Sequence, residues 1–256
     1  MNNLELLTSN NKEFFIKELS QALNQLIDWK IDNSKVHSPQ ATDSSIFTEE
    51  LPTNGNDLHT TINEILSSLN NNINFSSKRF MGFPDTGNSM AGLIAAIVEV
   101  FLQQNLINKE ICSPIGTKIE ATVISWLRQI IGYSYTNTIK DVAELGGAIT
   151  TGGVMSNTYA LMAAKEKYPD KNIVILPDNI GHYSLSYATD WLNLNTKIIY
   201  CKTINYKMSL SHLKYLLQKY NHKILFIGVY ACDSMTSTCE DLNKIYDLVN
   251  KSNLNL

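Results

Sequence analysis

An α/β fold built on a largely parallel sheet is the class the sequence predicts, and three observations predict it. Short β-branched runs at 173–176, 197–200 and 224–230 alternate with helical stretches at 183–192, 209–220 and 241–250. A glycine-rich turn, Gly146–Asn157, stands directly before a further helical stretch. The 256 residues are 44% hydrophobic and 18% charged, enough apolar material for one substantial core or for a large domain with an appendage.

The elements follow in chain order. Residues 1–36 read as helical, because Leu4, Leu7, Phe14, Phe15, Leu19, Leu23, Leu26, Ile27 and Trp29 recur at three-to-four spacing. That apolar stripe needs cover, from the chain's own body or from another subunit. Residues 37–57 hold two prolines, one glycine and many Ser, Thr, Asn and Asp, which marks a linker or surface loop. A short helix is expected over about 58–69. Residues 91–105 read as a buried helix, and 116–132 as an amphipathic helix with Ile119, Val123, Trp126, Leu127 and Ile130 on one face. Residues 158–167 read as a helix that Pro169 stops.

Composition excludes several functions. Lys and Arg number 21 against 24 Asp and Glu, a net charge of -3, so nothing electrostatic favours nucleic acid or an anionic membrane. The longest apolar run, Ala91 to Leu102, is interrupted by Glu99 and is too short to span a bilayer. The opening MNNLELLTSNNKEFF lacks the basic start and apolar core of a secretory signal, so a cytoplasmic location is expected. Cys112, Cys201, Cys232 and Cys239 form no CxxC pair and are expected to be small core residues. No His, Asp or Glu set has metal-ligand spacing, and no metal is expected.

The strongest local signal is GGAITTGGVMSN, Gly146–Asn157, running into a helix. Glycines let a backbone turn tightly with its N–H groups converging, and a helix start adds free donors and a positive dipole end. A phosphate suits that place. Ser156 or Asn157 adds a side-chain bond there or simply caps the helix, and a capped turn with no ligand is the plainer reading of these residues alone. A GxxxxGK[ST] loop starting at Gly147 fails, since Gly153 and Val154 stand where Lys and Ser/Thr are required, and GxGxxG is absent. Gly87-Asn88-Ser89-Met90-Ala91 roughly fits a nucleophile elbow, but a turn-rich loop precedes it instead of a strand. His182, after Pro177-Asp178-Asn179-Ile180-Gly181, and Asp233-Ser234 both follow strand candidates, where ligand sites of α/β sheets gather. A lone His or a polar loop at such a place is also ordinary structure. Glu120, Asp178 and Asp241 show no partners for acid–base work, and His212 and His222 read as surface residues.

Five ordered segments carry a resemblance: RFMGFPDTGNSMAGLIA, FLQQNLINKEICSPIGTKIEATVISWLRQIIGY, GGAITTGGVMSNTYALMAAKEKYP, HYSLSYATDWL and VYACDSMTSTCEDL. Together they are spread over roughly 170 residues from Phe80 onward. The chain resembles the N-terminal half of the group II pyridoxal-phosphate-dependent decarboxylases, which include glutamate, aromatic amino acid, histidine and diaminobutyrate decarboxylases. The resemblance implies a fold-type-I, aspartate aminotransferase-like large domain. It implies an N-terminal helical arm and linker over residues 1–75 and a partial large domain over 76–256.

The resemblance also implies a site. Gly153, Val154, Met155 and Ser156 match the cradle for the phosphate of pyridoxal 5'-phosphate, with Val154 where many relatives have Ser or Thr. His182 matches the His that stacks on the pyridine ring, helps orient the substrate carboxylate and protonates carbon. Ser234 matches a Ser or Thr near the cofactor, while Cys232 stands in place of a common Gly. Phe83, Pro84 and Thr86 match a segment lining the substrate pocket. The implied partners are a small amino acid and a second subunit, as a homodimer or a chain carrying the C-terminal half. The family's pyridinium-pairing Asp and Schiff-base Lys belong to segments after residue 256. The chain is therefore expected to be an incomplete decarboxylase, inactive alone. The alternatives are one chain of a split enzyme, or a non-catalytic cofactor-binding or interaction protein.

Overall fold

The computed structural model describes residues 6–32, 55–69, 72–82, 87–105, 110–136, 138–139, 142–179, 181–192 and 195–252. Most of the expected linker and the pocket residues Phe83, Pro84 and Thr86 lie outside the described residues. The chain divides into two compact units, Met1–Gln103 and Gln104–Leu256. The division expected from sequence falls earlier, after residue 75.

The first unit is helical, with α1 (Lys12–Ile31), α2 (Leu58–Ser68) and α3 (Met90–Leu102). Asp57 caps α2 by accepting from the Thr60 N–H at 3.0 Å. Ser89, the serine of the elbow look-alike, caps α3 by accepting from the Gly92 N–H at 3.1 Å. Its hydroxyl is thereby accounted for structurally. α1 and α2 are joined by a polar clasp. The buried Glu18 carboxylate meets His59 Nδ1 at 2.8 Å, and Asn63 Nδ2 lies 2.9 Å from His59 Nε2. Asn74 closes the far end of α1 by donating to the carbonyls of Trp29 and Lys30 at 3.1 and 2.8 Å. The expectation of a buried helix at 91–105 is corrected: every residue of α3 is exposed, including Ile94, Val100 and Phe101. The apolar composition that suggested burial is real, but the contact made there, Phe15 of α1 edge-on to Phe101 with centroids 6.1 Å apart, leaves the helix exposed.

The second unit is the α/β layer. It comprises α4 (Pro114–Ile131), α5 (Gly153–Lys167), β1 (Ile173–Pro177), α6 (Ser184–Trp191), β2 (Lys197–Cys201), β3 (Thr203–Ile204), β4 (Lys207–Met208), α7 (Leu210–Tyr220), β5 (Ile224–Ile227) and α8 (Leu242–Lys251). Proline opens α4 and Gly132, at φ +87°, closes it in the left-handed conformation that only glycine adopts freely. The predicted helix forms, and its apolar face is left largely uncovered. Ile124 is its buried residue, while Ile119, Trp126, Leu127 and Ile130 are exposed.

β2, β1 and β5 form a parallel sheet in that order, with Ile175 paired to Ile199 on one side and Ile227 on the other. All five residues of β1 are buried, and their alternation builds two cores. Ile173 and Ile175 pack with Leu213, Leu216 and Leu217 of α7 and Ile245 of α8. Val174 and Leu176 pack with Leu161 of α5 and Leu185 and Ala188 of α6. The chain leaves β1 through α6 to reach β2, then returns through α7 on the opposite face to reach β5. The winding therefore reverses between β1 and β5. In open α/β sheets the crevice beyond the strand ends at such a reversal is where ligands bind.

Candidate functional site

A cavity of about 590 Å³ opens at that reversal, within the size range of small-molecule sites. Asp178, His182 and Tyr183 line it from the loop after β1, and Tyr230, Asp233 and Ser234 from the segment after β5. The first loop is pinned at its start, because the Asp178 carboxylate accepts from the Thr203 N–H at 2.9 Å and from Thr203 Oγ1 at 2.8 Å. Asp178, which shows no partner in the sequence, is thus a structural brace.

Gly181 shapes the next step. Its φ of +112° suits glycine alone, and a Cβ there would overlap the Tyr230 ring. The Tyr230 hydroxyl donates to the His182 carbonyl at 3.0 Å, and burial pushes its phenol pKa up. His182 Nδ1 accepts the Ser184 N–H at 3.2 Å, which leaves Nε2 as the ring's N–H. The ring also packs on Tyr183, with centroids 4.1 Å apart. The Ser184 hydroxyl, buried at the start of α6, accepts from Asn157 Nδ2 at 2.7 Å. Asn157, Ser184 and His182 therefore connect the first turns of α5 and α6.

The glycine-rich turn feeds α5, whose helix starts at Gly153 instead of at residue 158. No side chain caps it. The N–H groups of Gly153, Val154 and Met155 have no intrahelical acceptor, and the space where Cβ atoms of Gly152 and Gly153 would stand is open. Ser156 Oγ bonds within the turn instead, to Thr150 Oγ1 at 2.6 Å and to the Gly152 carbonyl at 3.2 Å. Arg128 anchors the turn's other end, donating to the Gly146 carbonyl and, through Nε, to the Ser134 carbonyl at 2.8 Å.

Opposite, the segment after β5 is a hairpin closed by a bond between Cys232 and Cys239. This corrects the expectation of four core cysteines. Cys201 is buried, but Cys112, Cys232 and Cys239 are exposed, since the last two sit at the neck of a surface hairpin. Within the hairpin, the buried Asp233 carboxylate accepts from the Thr236 N–H and Oγ1, each at 2.8 Å. The Thr236 hydroxyl, above all, holds that carboxyl below its usual range, and the Gly181 N–H adds to the effect.

Of the residues singled out from sequence, His182 and Ser234 share the cavity wall. Gly153, Val154, Met155 and Ser156 sit together in the first turn of α5, outside that wall but linked to it through Asn157 and Ser184. Asp241 caps α8 by accepting from the Lys244 N–H at 3.1 Å, and His212 is half-buried and accepts from the Lys202 N–H at 2.9 Å. Tyr230, Asp178 and the Asn157–Ser184 pair were not marked as site residues in the sequence. Position at a strand end was the available signal for the first two. No group of three potential metal ligands occurs among the described residues. No helix of the described residues is long and apolar enough to cross a membrane.

Comparison with known proteins follows the geometry. The fold resembles solved structures of mouse CSAD in apo form (TM-score 0.77, 16% identity, covering 95% of this chain and 54% of that one). It also resembles Oryza sativa TDC with PLP and tryptamine (0.79, 15% identity, 98% and 57%). A third match is Catharanthus roseus tryptophan decarboxylase in complex with L-tryptophan (0.73, 17% identity, 97% and 56%). The chain thus spans little more than half the length of these structures. No curated protein matches the sequence. The profile described as the pyridoxal-dependent decarboxylase conserved domain matches residues 40–256, most of the chain, and on that match the chain belongs to the pyridoxal-dependent decarboxylase family.

Proposed function

We infer that the chain forms the cofactor-facing part of a pyridoxal-phosphate-dependent decarboxylase that converts an L-amino acid to its amine and CO2. The observation that carries this reading is the cavity at the β1/β5 reversal, walled by His182 and Ser234 and tied through Ser184 and Asn157 to the start of α5. The residues present fit both ends of the cofactor. The open first turn of α5, with the N–H groups of Gly153, Val154 and Met155 unclaimed within the helix, suits a phosphate dianion. Val154 offers no hydroxyl there, and Ser156 would have to leave Thr150 to offer one.

Pyridoxal phosphate, when bound, supplies an electron sink for the bonds at the substrate's α-carbon. His182 then presents a flat ring for stacking and holds a proton at Nε2, the nitrogen not engaged by Ser184. Tyr230 and Ser184 fix the His182 backbone and ring, so the stacking surface is preorganised. Ser234 is exposed and free to bond the cofactor. Phe83, Pro84 and Thr86 remain our candidates for the substrate pocket.

Among the described residues, no lysine lines the cavity. We therefore expect the 256-residue chain to bind the cofactor without covalent capture and to be inactive by itself. The lysine-free wall favours the second reading as well, in which a further chain or a second copy completes the site, and the exposed apolar face of α4 is available for such a contact. A cytoplasmic location belongs to the same reading.

The test is a titration of the purified chain with pyridoxal phosphate, read by absorbance and followed by borohydride trapping and mass spectrometry. Saturable binding that His182→Ala weakens, with no single lysine trapped, is the expected result. Absence of binding, or stoichiometric trapping of one lysine, would overturn the reading.

A further inference from the structure

The hairpin after β5 has its covalent clasp outside and its functional surface inside. Cys232 and Cys239 face each other across an antiparallel bridge, and both are exposed. Two backbone hydrogen bonds flank them, from the Asp233 N–H to the Thr238 carbonyl at 2.9 Å and from the Glu240 N–H to the Ala231 carbonyl at 3.2 Å. Between the cysteines lie Asp233, Ser234, Met235 and Thr236, all of which line the cavity. Ser237 holds a left-handed backbone conformation at φ +55°, a strained position for a residue other than glycine.

We propose that Cys232 and Cys239 are a reversible thiol–disulfide site whose state sets the order of this cavity wall. The functional meaning rests on the reading of the cavity as a ligand site; the chemistry does not. Exposure makes both sulfurs reachable. Cys201 is unsuited to the exchange, because it is buried, with its thiol pKa pushed up to about 11 by burial. The oxidant is a low-molecular-weight disulfide such as glutathione disulfide. One cysteine thiolate attacks a sulfur of that disulfide, expelling a glutathione thiolate and leaving a mixed disulfide. The other cysteine thiolate then attacks the protein sulfur and expels the second glutathione. The protein gives up two electrons and two protons, which the glutathione disulfide takes up as it becomes two glutathione thiols. Closing the neck removes open conformations of the hairpin, which holds Asp233 against Thr236 and Gly181 and keeps Ser234 at the wall.

The experiment equilibrates the full chain at several glutathione to glutathione disulfide ratios, then alkylates free thiols and counts them by mass. A two-thiol transition confined to Cys232 and Cys239 is expected. Amide hydrogen exchange at Asp233–Thr236 should be at least about tenfold slower in the oxidised form. Cys232→Ser and Cys239→Ser should each exchange like reduced wild type. A pair that stays in one state at every ratio, or equal exchange in both states, would overturn the proposal. A parallel titration with pyridoxal phosphate separates the two readings. Binding to neither form refutes the cofactor site, while the exchange data still decide the disulfide site.

Discussion

Replacing Gly181 with alanine should break the cavity's inner wall. The cost has two sources. The φ of +112° becomes strained once a Cβ is present, at about 1–3 kcal/mol. The same Cβ overlaps the Tyr230 ring, which must leave its place and lose its hydrogen bond to the His182 carbonyl. The lost bond is worth about 1 kcal/mol, and an off-rotamer tyrosine adds about 0.5–1.5 kcal/mol. The sum is about 3–5 kcal/mol, read as a fall in the urea midpoint with an unchanged slope. A double-mutant cycle isolates the ring. In a Tyr230→Ala background, Gly181→Ala should cost only the backbone part, about 1–3 kcal/mol. An equal penalty in both backgrounds would refute the ring contact, and no penalty in either would refute the backbone conformation.

Four further outcomes are expected. His59→Ala leaves the buried Glu18 carboxylate without its partner and should destabilise the α1–α2 pair by about 1–3 kcal/mol, seen as faster amide exchange in α1. Arg128→Met frees the Gly146 and Ser134 carbonyls and should cost about 1–3 kcal/mol by urea denaturation. Thr236→Ala removes the main bond that lowers the Asp233 pKa from 3.8. A carboxyl with a depressed folded-state pKa stabilises the fold above its unfolded value and loses that contribution as pH falls through the folded one. The stability gap between wild type and Thr236→Ala should therefore be constant at neutral pH and shrink below pH 3.8, as measured by denaturation across pH. Iodoacetamide should label Cys112 rapidly in the native chain, and Cys201 only at the rate of unfolding, because Cys201 is buried and stays protonated at neutral pH.

The sheet and its helices were legible in the sequence, because β-branched runs and stripes at helical spacing mark the local backbone conformation. Ends were less so. The expected strand at 224–230 stops at Ile227, where the chain leaves the sheet to form the cavity wall, and α5 begins at Gly153 because helix starts tolerate glycine. Burial of α3 was misjudged, since apolar composition shows that a helix needs cover and not what covers it. His182 and Ser234 were found because they follow strands. The Asn157–Ser184 bridge spans 27 positions, and the Gly181–Tyr230 fit spans about fifty, so neither leaves a local pattern. The Cys232–Cys239 pair has no motif at its spacing and becomes visible only when the hairpin brings the two residues together.

Ile173, Val174, Ile175 and Leu176 answer alternately to the two cores, so β1 has no tolerant face. A change of one methylene at any of these positions disturbs packing on one side or the other. Two residues later the chain is in the cavity loop, where side chains line the cavity and meet solvent. Substitution is therefore expected to be tolerated unevenly: β1 admits little change, while exposed wall positions such as Ser234 and Met235 admit more.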